Sequence, residues 1–282
     1  QDRVGPICRT PEDAAMVFNV INGVDEKDPS TVTTPFKFDS SIKLASLRIG
    51  VDPNAPPEMI AKLRDLGMKP IDIGARPAVQ GAGNGLDVEG AAAFDQFVER
   101  KAKEIGLDLA ALPEAPPGGR GRGAGGGGRG AAAAGGPPPN PLAAADWNPR
   151  FVNGRTARAI DFVQAQRRRY VLITKWAEFM KDLDMFIAAP SADVGVNAQT
   201  GHPCAVVPYK FDVPVAQSFG GGRGRAGGAP IAAAPPAPPA PPLNPQPICG
   251  TIVGALYADD KILSVAHQLQ THTDFANKRP SL

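Results

Sequence analysis

Short apolar runs and longer helical stripes divide the chain into elements. Residues 185–189 (Met-Phe-Ile-Ala-Ala) and 205–207 (Ala-Val-Val) are unbroken apolar runs followed by Pro190 and Pro208. Such runs suit buried strands that stop where the backbone N–H is lost. The polar connection between them predicts a loop ending in Thr200-Gly-His-Pro203, and loops held by buried strands are where binding groups collect. A tight turn that needs glycine for its backbone angles is the alternative reading of Gly201. Upstream, 47–51 reads as a strand, 57–66 as a helix closed by Gly67, and 70–73 as another strand. Strand, helix, strand in that span predicts a right-handed crossover unit in a parallel sheet.

The remaining stripes are helical. Thr10-Pro-Glu-Asp13 combines a capping hydroxyl, a proline at the first helical position and acids at the positive end of the helix dipole. Ala14, Val17, Phe18 and Ile21 are then the predicted core face, with Gly23 as the stop. Residues 88–105 predict one amphipathic helix with Ala92, Phe94, Phe97 and Val98 inward. Residues 156–182 predict the longest helix, with Ile160, Val163, Tyr170, Ile173, Ala177 and Met180 on one stripe. A strand at 251–257 and a helix at 259–270, capped by Asp259 and burying Ile262, Leu263, Ala266 and Leu269, close the pattern.

Composition changes this picture at two places. Residues 116–141 and 218–247 are dominated by Gly, Ala and Pro with scattered arginines, a composition that cannot bury enough apolar surface to offset chain entropy. Both are expected to be disordered or polyproline-like insertions, leaving roughly 220 to 230 residues, ample for a domain core. A net charge of +2 gives no reason to expect a nucleic-acid partner, and no apolar run reaches the length of a membrane span. Cys8, Cys204 and Cys249 are odd in number and lack metal-ligand spacing. Cys204 reads as a small buried hydrophobe, and His267 and His272 do not share a helix face. Gly81-Ala-Gly-Asn-Gly85 follows a strand but opens no strand-to-helix phosphate turn, so it is not read as a nucleotide loop.

Several segments together resemble the amidase signature family of hydrolases. Asp184 to Pro190, Asn197-Ala-Gln-Thr-Gly-His-Pro203 and the apolar run ending in Val207-Pro208 are similar to its Asp-(apolar)-Pro strand, Asn-x-x-Gly-x-Pro loop and Val-Pro strand. Val4-Gly-Pro-Ile-Cys-Arg-Thr-Pro-Glu-Asp-Ala-Ala15, Leu47 to Val51, Ala165-Gln-Arg-Arg-Arg169 and the Gln270-Thr-His-Thr273 run add to the likeness, which spans nearly the whole chain. The resemblance implies an α/β fold, a mixed sheet between helix layers, and catalysis by a serine nucleophile, a second serine in a cis peptide and a lysine. In that family the glycine-rich double-serine signature and the lysine precede the segment with which this chain begins. Ser40-Ser41 here is flanked by Asp39 and Ile42 and lacks the glycines that would let backbone N–H groups reach an oxyanion. The expectation is therefore the C-terminal part of a single amidase domain, residues 1–282, incomplete and holding no catalytic residue.

The resemblance implies Asn197, Thr200, Gly201 and His202 as substrate-pocket candidates and Arg9, Asp13 and Arg169 as structural polar residues. It implies a small-molecule carboxamide substrate and no cofactor or metal; homo-oligomerisation through an uncovered face and a cytoplasmic location are further expectations. Alternative readings are a non-catalytic homologue, an RNA-associated protein using its Arg-Gly tracts, and a glutamine-hydrolysing amidotransferase A-type subunit.

Overall fold

The computed structural model describes residues 4–83, 85–111, 154–189, 194–212, 245–273 and 277. The expected insertion at 116–141 lies outside the described residues, as does most of that at 218–247. Five strands form one mixed sheet in the order β2-β1-β3-β5-β4: β1 (Ile49–Val51), β2 (Pro70–Asp72), β3 (Met185–Ala188), β4 (Cys204–Asp212) and β5 (Gln246–Gly254). β1 pairs in parallel with β2 and β3, and β5 runs antiparallel between β3 and β4. The mixed α/β class expected from the sequence is thus the observed one.

Seven α-helices are described: α1 (Pro11–Ile21), α2 (Pro57–Asp65), α3 (Leu86–Ala93), α4 (Asp95–Glu104), α5 (Ala159–Met180), α6 (Val194–Thr200) and α7 (Asp259–Thr273). The two sheet faces follow strand alternation. Ile49, Met185, Ile187, Val207 and Ile252 share a core with Met59 and Leu63 of α2 and Val265 and Leu269 of α7. Phe186, Ala188 and Val253 turn the other way, onto Leu172, Trp176 and Met180 of α5. β1, α2 and β2 form the expected parallel crossover, and Gly67 stops α2 at φ +89°.

Asp184 ties the sheet to the helix layer. Its backbone N–H donates to Arg48 O at 2.9 Å, and its carboxylate accepts from Arg48 N at 2.9 Å and from Lys261 Nζ at 2.7 Å. Burial opposes ionisation of this carboxyl, but the hydrogen bonds from Lys261 and the Arg48 N–H outweigh it and hold it below the usual range.

Several sequence expectations need correction. β4 does not stop at Pro208: it runs on to Asp212, with the ladder shifting register between Pro208 and Lys210. β4 is an edge strand, and a proline is tolerated on an edge or at a bulge because no ladder bond is required of it there. β5 starts at Gln246, inside the tract expected at 218–247, because Pro247 pairs with Phe211 at the far end of the β4 ladder; it ends at Gly254 rather than 257. Residues 194–200 are helical, so the described part of the expected loop contains a two-turn helix followed by the irregular residues 201–203. The single helix expected at 88–105 breaks at Phe94 (φ −107°, ψ 13°), and α4 buries Val98 and Ala102 while Phe94 and Phe97 are exposed.

Two helices also bury different faces from those the stripes suggest. α5 buries Ala165, Leu172, Trp176 and Met180, whereas Ile160, Val163 and Tyr170 are exposed. Both sets recur at close to helical spacing and share Met180; the buried one is centred on Trp176. α1 starts as expected, with the Asp13 N–H donating to Thr10 Oγ1 at 3.0 Å. It rests on α7 through Pro11, Ala14 and Ala15, leaving Val17 44% and Ile21 50% exposed. The small residues allow close approach to α7, so the bulkier ones point outward.

Candidate functional site

The segment that the sequence singled out is packed beside α5. Trp176 is fully buried there, its Nε1–H donating to Pro77 O at 3.0 Å. Its ring centroid lies 5.1 Å from that of His202 and 5.9 Å from that of Phe186. His202 is only 5% exposed, and its Nδ1 lies 3.0 Å from Thr200 Oγ1. Burial lowers its pKa to about 4, so the ring is neutral at ordinary pH. Thr200 is buried too.

α6 ends where Gly201 takes φ +90°, its N–H donating to Asn197 O at 2.8 Å. A residue with a Cβ is strained in that conformation, which explains glycine at the helix end. Both the loop reading and the turn reading therefore describe part of one helix terminus. Pro203 O accepts from the Gly254 N–H at 2.9 Å, fixing the exit of the segment to the end of β5.

Arg169 holds α6 against α5: its Nε–H donates to Gln199 O at 2.9 Å, while Arg167 and Arg168 are exposed. A cation on a carbonyl in the last turn of a helix is also the favourable end of the dipole. The glycine segment at 81–85 closes the other side. A Cβ on Gly83 would lie 2.6 Å from Gln199 Nε2, and one on Gly85 would lie 2.8 Å from Gln166 Nε2, so both glycines lie against the ends of flexible glutamine side chains.

Asn197 is the most unusual member. It is 4% exposed, and neither Oδ1 nor Nδ2 has a hydrogen-bond partner among the described residues. A buried amide with neither group paired carries a desolvation cost.

Asn197, Thr200, Gly201, His202 and Arg169 thus come together. Arg9 and Asp13 do not join them, because α1 packs on α7 over the opposite face of the sheet. Arg9 lends its carbonyl to Gln270 Nε2 at 2.9 Å, and Asp13 is an exposed first-turn acid of α1. Ser40 and Ser41 lie in an exposed turn, with the Ser41 N–H and O–H both bonded to Asp39 Oδ1. Sequence reasoning misses two features. Trp176 falls outside the stripe that periodicity suggests, although it is the largest apolar residue of its helix. The buried Asp52 carboxylate, paired with Arg76 Nε at 2.8 Å after β1 and β2, carries no local signal because its partner lies beyond an entire helix and strand.

No protein-family profile matches the chain. Its sequence is 23% identical over 309 aligned residues to the A-type subunit of the glutamyl-tRNA(Gln) amidotransferase of Methylococcus capsulatus, covering 99% of this chain and 56% of that protein. The 6-aminohexanoate cyclic dimer hydrolase with bound substrate superposes with a TM-score of 0.55 at 16% identity, over 97% of this chain and 55% of the other. An amidase family protein from Bacillus anthracis gives 0.54 at 15% identity, over 99% and 50%. The fold is that of the amidase signature enzymes. The chain spans about half the length of the relatives it matches. Among the described residues, no helix is long and apolar enough to cross a membrane, and no group of His, Cys, Asp or Glu side chains is placed to hold a metal ion.

Proposed function

We propose that residues 1–282 are the C-terminal part of a single amidase domain that hydrolyses the C–N bond of a small carboxamide. The observation that carries this reading is the extent of the likeness: amide-cleaving enzymes and an amidotransferase subunit match nearly all of this chain and about half of themselves. The complete domain would attack the carboxamide through a serine, with a second serine and a lysine moving protons, form an acyl-enzyme and release ammonia or an amine before water cleaves the ester. Those three residues would lie upstream of Gln1, since the chain carries no glycine-flanked double serine. Its own contribution would be the sheet, the α5 wall and a substrate pocket using Asn197, Thr200, Gly201 and His202. A neutral His202 pinned at Nδ1 suits a shape-defining wall better than a proton carrier.

Turnover of a simple aryl amide tests the reading. A polypeptide extended upstream of Gln1 should hydrolyse it, and residues 1–282 alone should not. Turnover by the isolated chain, or none by the extended one, overturns the assignment. The sequence match to the amidotransferase supports a second reading, a glutamine-hydrolysing subunit. Ammonia release from glutamine in preference to aryl amides would distinguish it.

A further inference from the structure

We propose that the outward face of α1 is an interface for a second copy of this chain, docking antiparallel onto the outward stripe of that copy's α5. The two faces carry matching patterns. On α1, Asp13, Val17 and Val20 stand at i, i+4 and i+7 with Glu12 and Met16 alongside, on the side turned away from α7. All five are exposed, Met16 by 62% and Val20 by 82%. On α5, Arg167, Val163 and Ile160 repeat those steps in the reverse chain direction, with Arg168 alongside, on the side turned away from the sheet. Ile160 is 56% and Val163 50% exposed. Laid antiparallel, the helices set Asp13 against Arg167, Glu12 against Arg168, Val17 against Val163 and Val20 against Ile160. A parallel arrangement from the same ionic contact would set Val20 against Thr174, so the antiparallel one buries more apolar surface. Apolar surface that a fold leaves open on this scale marks an association site.

Charge selects the pairing. Over residues 4–30 five carboxylates stand against Arg9 and Lys27, so the α1 side is acidic. On the exposed side of α5, Asp161 is bonded to Arg158 and Glu178 to Lys181, while Arg169 is turned inward to Gln199 O. Arg167, Arg168 and Lys175 leave that side basic. Joining α1 to α1 or α5 to α5 would bring like charges together, whereas α1 on α5 brings opposite ones. Within one copy the two faces cannot meet, because α1 lies on α7 on one side of the sheet and α5 packs on the other. The contact is therefore between copies and heterologous, and each added copy offers a further face of each kind.

Sedimentation velocity of the 282-residue chain across a concentration series tests the proposal, using the parent, Val20→Asp, Val163→Asp and an equal mixture of the two variants. Both sites are exposed, so each variant should keep the parent's urea midpoint. The parent should associate with rising concentration and pass beyond a dimer, and each variant alone should stay monomeric. The mixture should form a one-to-one dimer and stop there, because only α1 of the Val163→Asp chain and α5 of the Val20→Asp chain remain intact. A monomeric parent would overturn the proposal and leave both faces to another occupant. Association that survives either substitution, or a mixture that stays monomeric, would overturn it as well. Exchanging charges tests the register and decides the matter if an apolar variant does not fold. Asp13→Arg or Arg167→Asp alone should weaken association by about tenfold or more, and the two together in one chain should restore it. No recovery in the double variant would rule out the antiparallel contact.

Discussion

Replacing His202 by Gln removes a titrating ring from the core while leaving a side chain able to reach Thr200 Oγ1. In the folded chain burial holds the imidazole near pKa 4, against 6.5 for a free histidine. Between these values the unfolded chain binds a proton that the folded chain does not, so stability rises with pH through this window and is lost as pH falls from about 6.5 toward 4. A separation of that size corresponds to roughly 3 kcal/mol once pH is below both values, with a slope of about 1.4 kcal/mol per pH unit in mid-window. Asp184, held below the usual carboxylate range, contributes a loss at more acid pH. Asp259, raised by burial, acts in the opposite sense. Both are retained in the variant and cancel in the comparison. Urea unfolding of parent and His202→Gln at intervals between pH 4 and 7.5 should therefore show the parent losing roughly 3 kcal/mol more than the variant across the range. The variant carries a constant penalty from the lost Trp176 contact, which shifts its curve without changing its slope. Parallel curves would mean that the ring is not held neutral by burial, and the packing account of 197–203 would fail with it.

Other consequences follow from packing and pairing. Trp176→Ala empties the centre of the α5-side core and should cost about 3 to 5 kcal/mol, read as a drop in urea midpoint at unchanged m-value. Gly50→Ala places a Cβ 2.8 Å from Ile73 Cγ2 and 3.1 Å from Phe186 Cβ, and the strain should cost about 1 to 3 kcal/mol by the same assay. Asp184→Asn removes the charge that meets Lys261 and should destabilise at neutral pH, with the difference from the parent closing below pH 4 as the native carboxylate protonates. A difference that persists into acid would assign the effect to geometry rather than charge.

Much of this architecture is legible in the sequence because it is local. The Thr10 cap, the Gly67 stop, the β1-α2-β2 crossover and the buried runs at β3 and β4 are set by neighbours a few residues apart. The failures are where tertiary context decides. Pro208 reads as a strand end because a proline cannot donate, yet on an edge strand no donation is required. The shifted α5 stripe places exposed Ile160 and Tyr170 inside, since periodicity alone does not say which of two adjacent apolar stripes meets the sheet. At the site, the Thr200 to Pro203 segment is recognisable by composition. The burial of Asn197 without a partner among the described residues, the Arg169 tether and the close approach of Gly83 depend on α5, α6 and a distant glycine segment meeting in space.

The central claim is that this chain supplies a pocket and scaffold while the nucleophile comes from upstream. A fluorophosphonate probe that modifies activated serines, followed by peptide mapping of the extended protein, tests it most directly. The account predicts a single adduct on a serine upstream of Gln1 and no labelling of residues 1–282 on their own. An adduct on any serine within these residues, Ser40 and Ser41 included, would contradict it.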